Sequence, residues 1–195
     1  MSRGLALAAL ALALGVSGAA ASPADVWTKL RRPLHVPRLA PGARCPVSAL
    51  EAGFNFRKYG VAPGIGRGPA YPIFGLPDSV LQFVYPPPAN SEFAGSTWSG
   101  NKVLWFVAPS YRGPVLIRGR RLDAPGLVRF ERGKLPPAEL RIAPGFSLVG
   151  NPGVKYVGQR YHPSYTRLRA PGCYAYQIDG TTFSHIVVFQ ARLYP

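Results

Sequence analysis

Short runs of alternating apolar and polar residues occupy the chain from residue 79 to its end, and Pro, Gly, Asn and Asp separate them. Runs of this length and spacing are typical of the strands of a sandwich or barrel. Eight segments are each predicted to form one strand: 79–85, 102–108, 114–120, 127–131, 139–143, 164–169, 173–179 and 182–193. The pattern therefore predicts an all-β domain built from about seven or eight strands.

The second of these segments is apolar on both faces of its predicted strand. Val103, Trp105 and Val107 share one face, whereas Leu104 and Phe106 share the other, because successive side chains of a strand point to opposite sides. A strand of this kind is typical of a central position that is covered by two layers. We therefore expect the N-terminal part of the chain to lie on its outer face.

The end of the chain is predicted to form a hairpin. Two apolar-rich runs flank the dipeptide Asp179-Gly180, which favours a tight turn between strands. In the first run, Tyr174, Tyr176 and Ile178 share a face. The pattern leaves open which face of the hairpin points inward.

Residues 22–77 are rich in Pro and Gly, and proline disfavours helix both at its own position and in the preceding residue. We interpret this segment as an extended arm. Its many aromatic residues indicate that it packs on the core, since a free linker would not carry so much apolar surface. The predicted organisation is a signal peptide at 1–21, the Pro/Gly-rich arm at 22–77 and a β-sandwich domain at 78–195.

The first residues have the features of an export signal. Arg3 precedes an apolar run over 5–16, and alanines at 19–21 provide small residues for cleavage before Ser22. We predict that the mature protein begins near Ser22 and is secreted or held at the cell surface. The alternative is an uncleaved segment that anchors the protein in the membrane, although the apolar stretch is shorter than the roughly 20 residues of a spanning helix.

Cys45 and Cys173 make up the whole cysteine content of the chain. In an oxidising compartment, an isolated pair of cysteines favours a disulfide over a redox or metal site. We expect a bridge that ties the arm to a late strand and removes several kcal/mol (~3–5) of unfolded-state entropy. The alternative is two separate buried thiols.

The segment 169–180 reads Arg-Ala-Pro-Gly-Cys-Tyr-Ala-Tyr-Gln-Ile-Asp-Gly and resembles the penultimate strand of bacterial immunoglobulin-like domains, which opens on Pro-Gly-x-Tyr. The resemblance implies that the hydroxyl of Tyr174 bonds back to the backbone in a tyrosine corner. Immunoglobulin domains proper bridge their sheets through central strands, whereas Cys45 lies in the arm.

The chain also resembles a family of exported proteins from high-GC actinobacteria, over the stretches 91–96, 102–121 and 163–189. The two resemblances together imply an immunoglobulin-like β-sandwich. They imply no particular activity.

Lys and Arg outnumber Asp and Glu by 23 to 8, which gives a formal net charge of +15. Such a surface attracts polyanions. The densest basic stretch is 111–121, and with nearby tyrosines it predicts a candidate anion-binding face. The arginines of this face are Arg118, Arg120, Arg167 and Arg169. The alternative is an ordinary solvated charged surface.

The predicted partner is an anionic cell-envelope polymer or a membrane surface, with an unidentified protein as a further candidate. Nucleic acid is disfavoured by export and by the lack of a recognised nucleic-acid-binding module in the sequence. No motif predicts a cofactor or a metal site, since His35, His162 and His185 have no Cys, Asp or Glu at ligand spacing.

No catalytic residue is assigned. Ser184 and His185 are adjacent on a predicted strand and point to opposite faces, which argues against a triad with Asp179. The sequence thus predicts an exported, non-catalytic binding module of the cell envelope. The alternative is an exported hydrolase or sugar-modifying enzyme whose acids and bases converge only on folding: Glu92, Asp123, His162 and His185.

Overall fold

The computed structural model describes residues 23–40, 42–75, 79–145, 147 and 149–195. The predicted signal peptide at 1–21 and the predicted boundary between arm and sandwich, at 77/78, lie outside these residues. No helix in the described ranges has the length and apolar character needed to cross a bilayer.

The described part of the chain is nearly all β. A short helix, α1, covers Pro23–Leu30, and a 3-10 turn covers Phe56–Tyr59. The strands are β1 (Ala70–Ile73), β2 (Val80–Phe83), β3 (Ser99–Val107), β4 (Val115–Arg121), β5 (Arg129–Phe130), β6 (Leu140–Ile142), β7 (Arg160–Leu168), β8 (Gly172–Gly180) and β9 (Ser184–Leu193).

Two sheets pack face to face as a β-sandwich. The four-stranded sheet has the strand order β1-β3-β7-β5, and the five-stranded sheet has the order β2-β9-β8-β4-β6. Neighbouring strands are antiparallel except for β2, which runs parallel to β9 and pairs Val80 with Gln190. The predicted all-β sandwich is confirmed, and each of the eight predicted strands overlaps an observed one.

The strand that the sequence did not predict is β1, which lies inside the segment interpreted as an arm. Pro72 of β1 stands opposite Trp105 of β3. Because β1 is at the edge of its sheet, a residue without an N–H group is tolerated there. The proline content of the segment hid this strand from the sequence pattern. Because β1 belongs to the four-stranded sheet, the sandwich begins before residue 78.

Side chains from both sheets form the core between them. Trp105, Tyr176 and Phe189 are fully buried, and the ring centroid of Tyr176 lies 5.1 Å from that of Trp105 and 4.5 Å from that of Phe189. Each such ring removes roughly 150–250 Å² from water, so this cluster is a main source of stability. Tyr174 and Ile178 belong to the same core, which identifies the inward face of the hairpin.

The arm covers the outer faces of both sheets. On the four-stranded sheet, Phe106 of β3 lies 5.3 to 5.9 Å, between ring centroids, from three arm residues: Phe54, Phe56 and Tyr59. On the five-stranded sheet, apolar arm and strand residues form one cluster: Val36, Leu39, Cys45, Leu122, Cys173, Ala175 and Val188. Strand β3 is thus covered on both sides, which accounts for its apolar pattern.

A buried carboxylate fastens the arm to the five-stranded sheet. Asp179 of β8 is fully buried and accepts hydrogen bonds from Arg118 (2.9 Å), Gln177 (3.0 Å) and Ser184 (2.7 Å). The arm joins this cluster through the N–H group of His35, which donates to Oε1 of Gln177 at 2.8 Å. Since a buried charge is costly unless it is paired, the cluster fixes where the arm lies on the sheet.

Gly100 of β3 is a position at which a Cβ atom has no room, because it would overlap the backbone oxygen of Thr166 on β7. We expect Gly100→Ala to lower the free energy of unfolding by about 1–3 kcal/mol, the usual cost of overpacking. Urea denaturation measures the change. Gly150→Ala is the matched control, since no described heavy atom lies within 4 Å of a Cβ at that position; an equal loss at the two glycines would contradict the expectation.

Candidate anion-binding site

The four arginines of the predicted anion-binding face lie on two different sheets. Arg118 and Arg120 belong to β4 in the five-stranded sheet, whereas Arg167 belongs to β7 in the four-stranded sheet and Arg169 follows it. Arg118 pairs with Asp179 at 2.9 Å beneath the arm. The four side chains therefore do not form one continuous face, and Arg118 serves to hold the arm.

Arg167 is fully buried although its strand position points outward. Its guanidinium carbon lies 3.9 Å from the ring centre of Phe93, and the group donates to the carbonyl oxygens of Glu131 and Trp98. Burial lowers the pKa of Arg167. The loops before β3 and after β5 cover this arginine, and Arg167 connects those loops to the sheet. The alternation of side chains along the strand does not reveal this cover.

Arg120 and Arg169 border two adjoining cavities where β4 ends and β8 begins. The first cavity has a volume of 400 Å³ and is lined by residues 38–39 and 120–126. The second has a volume of 240 Å³ and is lined by Trp98, Arg121, Pro125, Gly126, Leu127, Arg169, Ala170 and Tyr174. The two cavities share Arg121, Pro125 and Gly126, and we call the combined surface the basic cleft.

Positive charge dominates the residues that line the basic cleft. The arginines are Arg38, Arg120, Arg121 and Arg169, and the carboxylate is Asp123. Within the described ranges, no carboxylate pairs with Arg38, Arg120 or Arg169. A guanidinium presents a fork of N–H donors that matches the oxygens of a carboxylate or phosphate. The cleft therefore retains donors for an oxyanion.

Asp123 is already engaged by the protein on both of its oxygens. Oδ1 accepts from Nε of Arg121 at 2.6 Å, and Oδ2 accepts from the backbone N–H of Cys173 at 3.1 Å. Burial acts to raise the pKa of Asp123, but these hydrogen bonds and the charge of Arg121 outweigh it and hold the pKa below its ordinary value. Asp123 thus stays ionised at neutral pH and orients Arg121 in the cleft.

Trp98 supports the outer arginine of the cleft. The guanidinium carbons of Arg169 and Arg129 lie 4.3 Å and 5.6 Å from the centre of its ring system. Arg169 also donates to Oγ1 of Thr97 at 2.7 Å. Cation–π contact and this hydrogen bond restrict the side chain, so Arg169 is positioned before a ligand arrives.

The predicted disulfide between Cys45 and Cys173 is confirmed, with the two Cα atoms 5.4 Å apart. It holds the arm, and hence the cleft wall formed by Arg38 and Leu39, against β8. Beside it, the hydroxyl of Tyr174 donates to the carbonyl of Ala170 at 2.8 Å. Burial raises the pKa of Tyr174 to about 12, so the hydroxyl stays a donor at neutral pH.

The four candidate acids and bases of the enzyme alternative lie in different places. Asp123 belongs to the basic cleft, His162 lines a cavity of 440 Å³ and His185 lines another of 590 Å³. Glu92 is bound to Arg132, at 2.9 Å, and to the hydroxyl of Tyr165. The fold does not bring these four side chains into one cavity.

Of the three residues of the rejected triad, Ser184 and Asp179 are in contact, whereas His185 contacts a different residue. Ser184 donates to Oδ1 of Asp179 at 2.7 Å, whereas His185 stacks on Phe183 with ring centroids 5.2 Å apart. In the described ranges, no group of three or more His, Cys, Asp or Glu side chains is placed to hold a metal ion.

Sequence reasoning missed three residues of the cleft and its support: Arg38, Arg121 and Trp98. Arg121 ends the same basic stretch that carries Arg120, so the phrase Arg-Arg-Leu-Asp at 120–123 was a usable signal. Arg38 carries no local signal, because the arm reaches the cleft through the distant Cys45–Cys173 bridge.

Comparison of the chain with models of protein families, with curated proteins and with solved structures finds no match. The resemblance to exported actinobacterial proteins therefore stays a prediction. Fold and site define the class of this protein as a disulfide-linked β-sandwich with an arginine-lined cleft at one end.

Proposed function

We propose that this protein is an exported, non-catalytic binding module that holds an anionic polymer of the cell envelope in its basic cleft. The observation that carries the proposal is the charge of the cleft lining, in which four arginines face one carboxylate that is already bound to Arg121. Polyanions bind such surfaces strongly because they release condensed counterions. Export, predicted from residues 1–21, would bring the protein to these polymers.

The shape of the basic cleft favours a chain of repeated charges over a single small anion. Arg38 and Arg120 border the first cavity, Arg169 borders the second, and Arg121 belongs to both. A polymer with a charge on each repeat can occupy both cavities at once. The second contact then forms at a high effective concentration, which raises the overall affinity.

The strand order supports an immunoglobulin-like assignment of the sandwich. Strands β1, β3, β7 and β5 take the places of A, B, E and D, and β4, β8 and β9 take those of C, F and G. The bond from Tyr174 to Ala170 matches the tyrosine corner. The protein differs from an immunoglobulin domain in two ways. Its disulfide joins the arm to β8, and the strand beside β4, which is β6, comes after β5 in the chain.

Equilibrium binding of the purified protein to poly(glycerol phosphate), with neutral dextran as comparison, tests the proposed function. Binding to the polyanion is expected to weaken as salt rises. Arg169→Ala is expected to reduce the slope of log K against log salt by roughly 0.7–0.9, the share of one phosphate contact.

The matched control is Arg57→Ala, which removes an exposed arginine from the 3-10 turn, away from the cleft lining. It is expected to leave the salt slope unchanged. Thermal unfolding of each variant separates a loss of binding from a loss of fold. Binding that does not change with salt, or an equal change of the salt slope in the Arg57 and Arg169 variants, would contradict the proposal.

A further inference from the structure

One edge of strand β9 is paired along part of its length. The N–H groups of Val188 and Gln190 donate away from β8, to Oγ of Ser48 at 2.9 Å and to the carbonyl of Ser79 at 3.3 Å. Alternate residues of a strand direct their backbone groups to the same side. Ile186, two residues before Val188, therefore directs its N–H and C=O groups to this edge.

The edge is open at Ile186. Strand β2 pairs with β9 from Gln190 onward, and the arm leaves the edge after Ser48, since the carbonyl of Ala49 accepts instead from the N–H of Gly66 at 2.9 Å. Among the residues that the structure describes, no group hydrogen-bonds to the outward N–H or C=O of Ile186. An unpaired edge of this kind is a template for a further strand.

A cavity of 590 Å³ lies along the open edge. Residues 184–186 line one side, and residues 48–51 and 66–67 line the other. Ile186 and Leu50 contribute apolar surface, with 36% and 37% of their areas exposed. The cavity thus combines free backbone partners with apolar contacts, which is what strand addition by a peptide requires.

We propose that this cavity, which we call the β9 slot, binds an extended peptide segment of a partner protein by strand addition at residues 184–186. The segment carries acidic side chains among its apolar ones. Exposed Arg67 lines the slot and supplies a cation for such a side chain. Glu51 is the carboxylate of the lining. With a net charge of +15, the chain attracts an acidic peptide and repels a second copy of itself.

Amide hydrogen exchange tests the proposal on the intact protein. The probe is a capped peptide of alternating glutamate and valine, about seven residues long, as in a typical strand. We expect it to slow exchange of the Ile186 amide about tenfold or more, as formation of a backbone hydrogen bond does. The amide of Val187 faces β8 and is expected to be protected with or without the peptide. A peptide with lysine in place of glutamate is expected to bind more weakly.

A pair of substitutions at one residue tests the backbone contact. Ile186→Pro removes the outward N–H without removing a bond to β8, so the variant is expected to fold and to bind the acidic peptide about tenfold more weakly. Ile186→Val keeps the N–H group and is expected to retain binding. If Ile186→Pro does not fold, the exchange rate of the Ile186 amide in the unaltered protein still tests whether the peptide binds at this edge.

Three results would overturn the β9 slot. They are unchanged exchange at Ile186 while the acidic peptide binds, equal binding of the lysine and glutamate peptides, and pairing of the edge in a dimer of this chain, detected by sedimentation. Polymer binding to the basic cleft involves other residues, so neither proposal depends on the other.

Discussion

Asp179→Ala is expected to lower the free energy of unfolding by about 3 kcal/mol, because it leaves the largely buried guanidinium of Arg118 without its partner. The carboxylate of Asp179 is fully buried, and Arg118 lies 2.9 Å away with 14% of its side chain exposed. Arg32 of the arm approaches the same carboxylate at 3.6 Å. Urea denaturation followed by tryptophan fluorescence measures the change in stability.

The substitution is also expected to loosen the arm. Gln177 and Ser184 bind Asp179, and Gln177 in turn donates to the carbonyl of Pro33 at 3.0 Å. The matched control is Glu139→Gln, which weakens a surface pair with Arg31 and is expected to cost about 0–1 kcal/mol. Similar losses at Asp179 and Glu139 would contradict the view that the buried cluster fastens the arm.

Replacing both cysteines by serine, Cys45→Ser with Cys173→Ser, is expected to lower the free energy of unfolding by about 4–5 kcal/mol. The bridge spans a sequence separation of 128 residues, and closing a loop of this order removes that much unfolded-state entropy in the simple chain model. Denaturation of the variant and of the unaltered protein, both without reductant, measures the difference.

The same variant is expected to bind poly(glycerol phosphate) more weakly, since the arm supplies Arg38 and Leu39 to the wall of the basic cleft. Affinity is measured under conditions in which the variant remains folded. Unchanged stability, or unchanged polymer affinity in the folded variant, would contradict the role given to the bridge.

The strands could be predicted because side-chain alternation is local. Segment 173–179 and the strand after it carry the pattern of a hairpin, and both strands are present. Strand β1 could not be found this way, because Pro72 is typical of irregular chain and is accommodated only by the edge position. The inward face of the hairpin could not be predicted, because it depends on where the arm and the other sheet pack, and these contacts are distant in the chain.

Part of the candidate site could be predicted, because the density of basic residues is also a local property of the sequence. Arg120 and Arg169 belong to the basic cleft, and the sequence indicated both from local charge density. Arg118 and Arg167 carry the same charge in the same pattern, but a carboxylate and covering loops engage them. Whether an arginine binds a ligand or the protein itself depends on contacts between segments that are distant in the chain.

The indole N–H resonance of Trp98 offers a direct test of the basic cleft. The chain has three tryptophans, and Trp98 is the one that lines the cleft, beneath Arg169 at 4.3 Å. In a titration with poly(glycerol phosphate) followed by ¹⁵N–¹H NMR, we expect the Trp98 signal to shift in step with binding while those of Trp27 and Trp105 stay in place. Binding of the polymer with an unmoved Trp98 signal would show that the basic cleft is not its site.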